Sequence, residues 1–216
     1  MSARTAQTRT APRSRSTAVR QRSSPRRRPQ PRRLSRLLAW LLSAVLGSTG
    51  LAYAQVPANT LPTGGRVVVG SAQVQQGASL MLITQGTQRL GMDWQSFNIG
   101  SSAMVEFRQP GSDSIALNRV VGNSGSEIYG QLRANGQVFL VNPNGVLFAP
   151  GAKVDVGGLI ASTLDLTQSD FAAGRYHFNA VGNGGSVVNQ GRLQASAGGY
   201  LEIGRASCRE RVCYPV

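Results

Sequence analysis

The residues able to do chemistry are few, and their spacing argues against catalysis. His177 is the only histidine in the 216-residue sequence, and the two cysteines, Cys208 and Cys213, stand close together near its end. A Ser-His-Asp arrangement would depend wholly on His177, whose context Arg175-Tyr-His-Phe178 reads as an ordinary strand. Zinc binding is excluded for want of ligands. A polysaccharide lyase would need several carboxylates to hold calcium and an Arg or Lys base beside them. The acids here (Asp93, Glu106, Asp113, Glu127, Asp155, Asp165 and Asp170) are dispersed instead. No catalytic residue, metal site or cofactor is expected.

The remaining candidates are recognition residues. In Asn142-Pro143-Asn144-Gly145, Asn and Gly tolerate positive φ, Asn side chains bond nearby backbone, and Pro fixes φ. The segment reads as a corner between two strands, either purely structural or also contributing to recognition of a partner. Asn118 and Arg119 carry the same two readings. Trp94 reads as a core or cap aromatic, with a binding role as the alternative.

These residues must be held by β-structure. Short apolar runs recur every six to ten positions: Arg66–Val69, Ser79–Thr84, Ala103–Phe107, Gln137–Val141, Gly145–Phe148 and Lys153–Val156. Gly-, Asn- and Pro-rich separators punctuate them, which indicates an all-β architecture. A hairpin sandwich would want clean alternation and two-residue turns. The strongest internal pattern is instead a loose repeat that fits a solenoid, and periodicity alone leaves solenoid and sandwich as equal alternatives. Gly185-Ser-Val-Val-Asn-Gln-Gly191-Arg-Leu-Gln-Ala reads as a strand, an Asn-Gln-Gly corner and a second strand. Coils of about 20–25 residues would give roughly six or seven coils and a rod some 30 Å long. The irregular stretch from Gln55 to about Asn98 is the expected cap over the first strand edges. One helical turn is expected at Ser162-Thr163 or at Ser169-Asp170 followed by Phe171-Ala-Ala.

Charge bounds the partners. The formal net charge is +14, but 12 of the 23 basic residues are arginines between Arg4 and Arg36, and Arg205, Arg209 and Arg211 lie in the tail. Eight basic residues remain between Gln55 and Leu201 against the seven acids above, so no basic stripe exists to neutralise phosphates. Nucleic acid is not an expected partner. The basic lead runs into the apolar stretch Leu37–Leu46 and then Ala52-Tyr53-Ala54, the pattern of a signal peptide cut between Ala54 and Gln55. An uncleaved anchor is the alternative, but the apolar run is shorter than the ~20 residues of a spanning helix. Residues 1–54 are thus expected to be an extended n-region plus signal peptide, 55–201 a β-domain, and 202–216 extraneous. Ile203–Val212 matches the translation of a short-read sequencing adapter, and the natural chain is expected to continue beyond Leu201.

Five stretches, in order, resemble a known family. They are Leu61-Pro-Thr-Gly-Gly65, Trp94–Gly100, Ala116-Leu-Asn-Arg-Val-Val-Gly122, Gly130–Phe148 and Val154–Thr163. Together they resemble the N-terminal secretion domain of filamentous-haemagglutinin-like exoproteins exported by two-partner secretion. The family's other short signature, Asn-Pro-Asn-Leu, has no clear counterpart here. The resemblance implies an all-β fold, a single-stranded right-handed parallel β-helix with an N-terminal β cap. It also implies export through the periplasm by the general secretory route, recognition there by an outer-membrane β-barrel transporter, and folding outside as a secreted or surface protein. Host-cell glycans or proteins would be met by the remainder of the longer exoprotein. It implies that the Asn142–Gly145 motif and Asn118-Arg119 serve transporter recognition. A stand-alone carbohydrate-binding or polysaccharide-degrading β-helix is the alternative.

Overall fold

The computed structural model describes residues 56–180 and 184–204. The basic lead, the apolar stretch, the Ala54–Gln55 junction and both cysteines lie outside the described residues. Among the described residues no helix is long and apolar enough to cross a membrane.

Three parallel sheets form the faces of a β-helix. The first holds, in spatial order, β1 (Arg66–Val69), β4 (Arg89–Trp94), β6 (Ile115–Val120), β9 (Gln137–Val141), β12 (Gly158–Ser162) and β17 (Leu201–Gly204). The second holds β2 (Ala72–Gln76), β3 (Leu80–Gln85), β5 (Met104–Arg108), β8 (Gln131–Ala134), β11 (Lys153–Val156) and β16 (Arg192–Ala195). The third is shorter: β7 (Ser126–Ile128), β10 (Val146–Phe148) and β15 (Val187–Asn189). Neighbours pair in parallel throughout, except β1 with β4 and β2 with β3. A hairpin sandwich is excluded by this pairing, and the parallel β-helix stands.

Five coils are present among the described residues: β3–β4, β5–β6, β7–β9, β10–β12 and β15–β17. At about 4.8 Å per step the stack is roughly 20 Å long. The expectation of six or seven coils was too high for two physical reasons. The chain before Leu80 runs antiparallel as cap, and the residues after β12 leave the coil. The cap is likewise shorter than expected: β3 and β4 already belong to the first coil, so only β1, β2 and the segment before them close the end. Antiparallel pairing there occupies strand edges that would otherwise be open to another chain.

The core follows from alternation along each strand. On the first sheet Leu90, Ala116, Val138 and Leu159 stack in one buried inward row, which Leu201, exposed on the last described strand, continues. On the second, Met81, Val105, Leu132, Val154 and Leu193 do the same. Each fully buried Leu or Val contributes about 1.5–3 kcal/mol, which is what closes successive coils. At the cap, Gly65 lies flat against the Trp94 ring, where a Cβ would collide with it. Preceding Gly64 has φ +66°, so both glycines of Leu61–Gly65 are sterically required.

After β12 the chain makes an excursion: β13 (Asp165–Leu166), α1 (Gln168–Ala172) and β14 (Phe178–Asn179), with β13 and β14 antiparallel. The helical turn thus falls at the second expected place. Its cap is Thr167, two residues upstream of Ser169, because the Thr167 hydroxyl accepts from the Asp170 amide at 3.1 Å. Ser162 instead closes β12, and its hydroxyl accepts from the Leu164 amide. The excursion covers the outer face of the first sheet, burying Leu166 and Phe171 against Ile115, Leu117, Phe139 and Val141.

Candidate functional site

The Asn142–Gly145 corner precedes β10 and ties three coils together. Asn142 is fully buried. Its Nδ2 donates to the Ser124 carbonyl at 3.0 Å and to Ser126 Oγ at 2.9 Å, both on the preceding coil. Its Oδ1 accepts from the Asn144 amide at 2.9 Å, an Asx turn, and the Gly145 amide closes the turn on the Asn142 carbonyl at 3.0 Å. Gly145 has φ +111°, a region closed to most side chains. On the other side Gly185 donates to the Pro143 carbonyl at 2.8 Å. Only Asn144 is exposed, and its Nδ2 reaches the Gly122 carbonyl at 2.9 Å. The geometry is that of a structural corner with one solvent-facing amide.

Asn118 and Arg119 are neighbours in sequence and face opposite ways. Asn118 points inward, in the row otherwise formed by Met92, Leu140 and Ala161. Its Oδ1 accepts from Trp94 Nε1 at 3.0 Å, and its Nδ2 lies 3.2 Å from the Ala116 carbonyl. Trp94 is itself buried, edge-on to Phe97 at 5.5 Å between centroids, so it is a core aromatic at the cap. Asn118→Leu is expected to cost about 1–3 kcal/mol, since the buried indole N–H loses its acceptor. Urea unfolding followed by Trp fluorescence measures it, and an unchanged midpoint would contradict the assigned bond.

Arg119 points outward under the excursion. Its Nε lies 3.3 Å from Asp165 Oδ1 and 3.8 Å from Asp93 Oδ1. The buried Asp93 also receives Gln168 Nε2 at 2.9 Å and Arg66 Nη2 at 3.4 Å on Oδ2. Asp93 Oδ1 makes no hydrogen bond, being held only by the longer ion pair. Arg119 is therefore a fastener of the excursion.

Sequence reasoning missed the corner between the second and first sheets. Gln85 and Gln109 are buried there as a pair, Gln109 Nε2 reaching Gln85 Oε1 at 3.1 Å. Gln85 Nε2 donates to the carbonyls of Thr87 and Ile115, while Gln109 Oε1 accepts from the Gly136 amide at 3.0 Å. Glutamine is usually exposed, so its type gave no warning; position two residues after an inward Phe or Ile was the available signal.

His177 is exposed beside β14, and among the described residues no cluster of His, Cys, Asp and Glu could hold a metal ion. A shallow groove of about 590 Å³ lies along the second sheet, lined by Glu106, Arg108, Arg133 and Asp155. Its charges alternate from strand to strand, as on a solvated face. The hydroxyl of Thr167 and then Arg175 hold the Asp170 carboxyl below its usual range. Burial, reinforced by Glu202 and Tyr176, pushes the Tyr200 phenol well above its ordinary value of about 10. The raised folded-state value means that Tyr200 contributes stability that is complete below about pH 10 and lost as pH rises through the folded pKa. Tyr200→Phe should therefore flatten the fall in stability above about pH 10, measured by denaturant titration; an unaltered alkaline slope would contradict it.

Comparison with known proteins fits this geometry. The model of the TPS secretion domain family matches residues 55–209. The heme/hemopexin-binding protein of Haemophilus influenzae strain Rd is 44% identical over 154 residues, covering 67% of this chain and 16% of that protein. A second heme/hemopexin-binding protein of Haemophilus influenzae is 38% identical over 144 residues, covering 66% of this chain and 15% of the relative. The crystal structure of the HMW1 secretion domain from Haemophilus influenzae superposes with a TM-score of 0.62 at 32% identity, over 66% of this chain and 39% of that one. The chain therefore spans less than a fifth of the two curated relatives, and its family is one of secretion domains, not of enzymes. By the span of the family match and by these identities, the chain belongs to the TPS secretion domain family, the secretion domains of two-partner secretion.

Proposed function

We propose that this chain is the secretion-directing end of a longer exoprotein, read in the periplasm by an outer-membrane β-barrel transporter and folded only after crossing. The match to secretion domains over most of the chain carries this reading. The burial of Asn142 and Asn118 gives it a mechanism. If the transporter reads these residues, it meets them before the coil closes, because the folded domain hides both side chains. Asn142, Pro143, Asn144, Gly145, Asn118 and Arg119 would then serve twice, as an extended recognition segment and afterwards as corner and fasteners.

The described body has no cysteine, so no disulfide closes a loop too bulky to thread. Parallel coils closing one on another supply folding energy on the far side without any nucleotide, and that energy would draw following chain outward. The domain needs no catalytic activity for this role. Cleavage between Ala54 and Gln55, the extraneous origin of 202–216 and the general secretory route belong to the same proposal. Strand β17 does run across the expected 201/202 boundary, pairing Leu201–Gly204 with Leu159–Ser162. The relatives' names suggest heme or hemopexin as the target of the whole exoprotein. The alternative of a stand-alone polysaccharide-directed β-helix has no comparable support.

Binding of the transporter's periplasmic domains to the chain, held unfolded in mild urea and then refolded, tests the mechanism. The unfolded chain should bind at least about tenfold more tightly, equivalent to 1.4 kcal/mol. Equal or tighter binding by the folded domain would refute recognition before folding.

A further inference from the structure

In a solenoid each coil touches only its neighbours, so coils can fray from an open end independently of those at the other. The excursion over Asp165–Asn179 breaks that rule. It leaves the chain after the fourth coil, yet Gln168 Nε2 bonds Asp93 on the first coil at 2.9 Å. Asp165 meets Arg119 of the second coil at 3.3 Å. Tyr176 stands edge-on to Phe139 of the third coil at 5.6 Å, and Phe178 tilts against the same ring at 6.4 Å. Ile160 of the fourth coil, Tyr200 just before the last strand of the fifth, and Val69 of the cap pack against the cluster that Leu166 and Phe171 of the excursion form with β6 and β9. One short segment thus belongs to a cluster that reaches the cap and all five coils. Its apolar side chains have nowhere else to go: β6 and β9 are apolar on both faces, so their outer face must be covered.

We infer that this excursion is a strap that couples the two ends of the β-helix and closes last. Its partners on the first and second coils lie at the far end of the stack from its own point of exit. They come into reach only when the intervening coils are already in register. Closure then converts a row of nearest-neighbour steps into one cooperative unit, and the fifth coil gains protection from contacts made on the first. The inference goes beyond the secretion reading and holds whether or not a transporter reads the chain.

Native-state hydrogen exchange on the secreted chain and two variants tests it. In the wild type, amides of β4 and β16 should open through the same event, with the same urea dependence. In Phe171→Ala, which empties the centre of the strap, β15 and β16 amides should exchange at least about tenfold faster while β4 and β6 amides change far less. Gln168→Ala cuts a single tie to Asp93 and leaves the aromatic group whole, so it serves if Phe171→Ala fails to fold. It should show the same asymmetry at about threefold. Uniform acceleration of all slow amides in either folded variant would mean that the strap only adds stability. No change in any amide would mean that it is idle. Either result overturns the coupling.

Discussion

Gln109→Leu is expected to lower the unfolding free energy by about 3–5 kcal/mol, the largest single-residue effect predicted for this domain. Leucine keeps most of the volume, so the loss isolates hydrogen bonding from packing. Four contacts disappear together: Nε2 to Gln85 Oε1 at 3.1 Å, to the Ser114 carbonyl at 3.0 Å and to the Gln137 carbonyl at 3.2 Å, and Oε1 from the Gly136 amide at 3.0 Å. They join the first, second and third coils at a corner where backbone groups cannot reach one another across the bend. A buried group left without its partner costs about 1–3 kcal/mol, more than the bond contributes when intact. Against a total stability of about 5–15 kcal/mol for a domain, this is enough to depopulate the native state at modest urea. Chemical denaturation reads it directly. A loss below about 1 kcal/mol would mean that water enters the corner and replaces the amide.

The second large effect separates the two roles of the Asn142–Gly145 corner. Asn142→Ala removes the bonds to Ser124, Ser126 and the Asn144 amide and should cost about 2–4 kcal/mol. Asn144→Ala removes a partly exposed bond to Gly122 and should cost no more than about 1 kcal/mol. If the transporter reads the extended segment, both variants should nonetheless secrete poorly, each by about tenfold, a change of 1.4 kcal/mol in binding. If the segment is only a corner, secretion should follow stability, with Asn144→Ala close to wild type. Pairing secretion yield with urea midpoints for the two variants decides between these outcomes.

The β-helix was legible because its cause is local and repeated. Gln137–Val141 and Lys153–Val156 emerge as strands with the expected bounds, and the Gly185–Ala195 stretch folds as strand, corner and strand. The Asn-Gln-Gly corner is closed by Asn189 Oδ1 accepting from the Gly191 amide, as its residue types imply. What sequence could not show is which strands belong to cap and which to coil. Val67 and Leu82 sit in similar runs, yet β1 pairs antiparallel and β3 parallel to its next neighbour, a choice set by tertiary closure. The recognition candidates divided along the same line. Composition marks Asn142 as a turn residue, but only the stacked coils show that it is buried. Asn118 and Arg119 looked like one unit, and strand alternation sends one into the core and the other under the strap. The strap's cover was half-visible: a run such as Gln137-Val-Phe-Leu-Val141 with apolar residues on both faces demands burial on both, without saying by what.

The measurement that bears most directly on the central claim is secretion itself. The chain is produced with residues 1–54 in a bacterial host, with and without an outer-membrane β-barrel transporter of two-partner secretion, and the protein outside the cells is quantified. The account predicts protease-resistant protein in the medium only when the transporter is present, and degraded protein in the periplasm when it is absent. Release to the same extent without the transporter, or retention inside the cells despite it, would contradict a secretion-directing role for this domain.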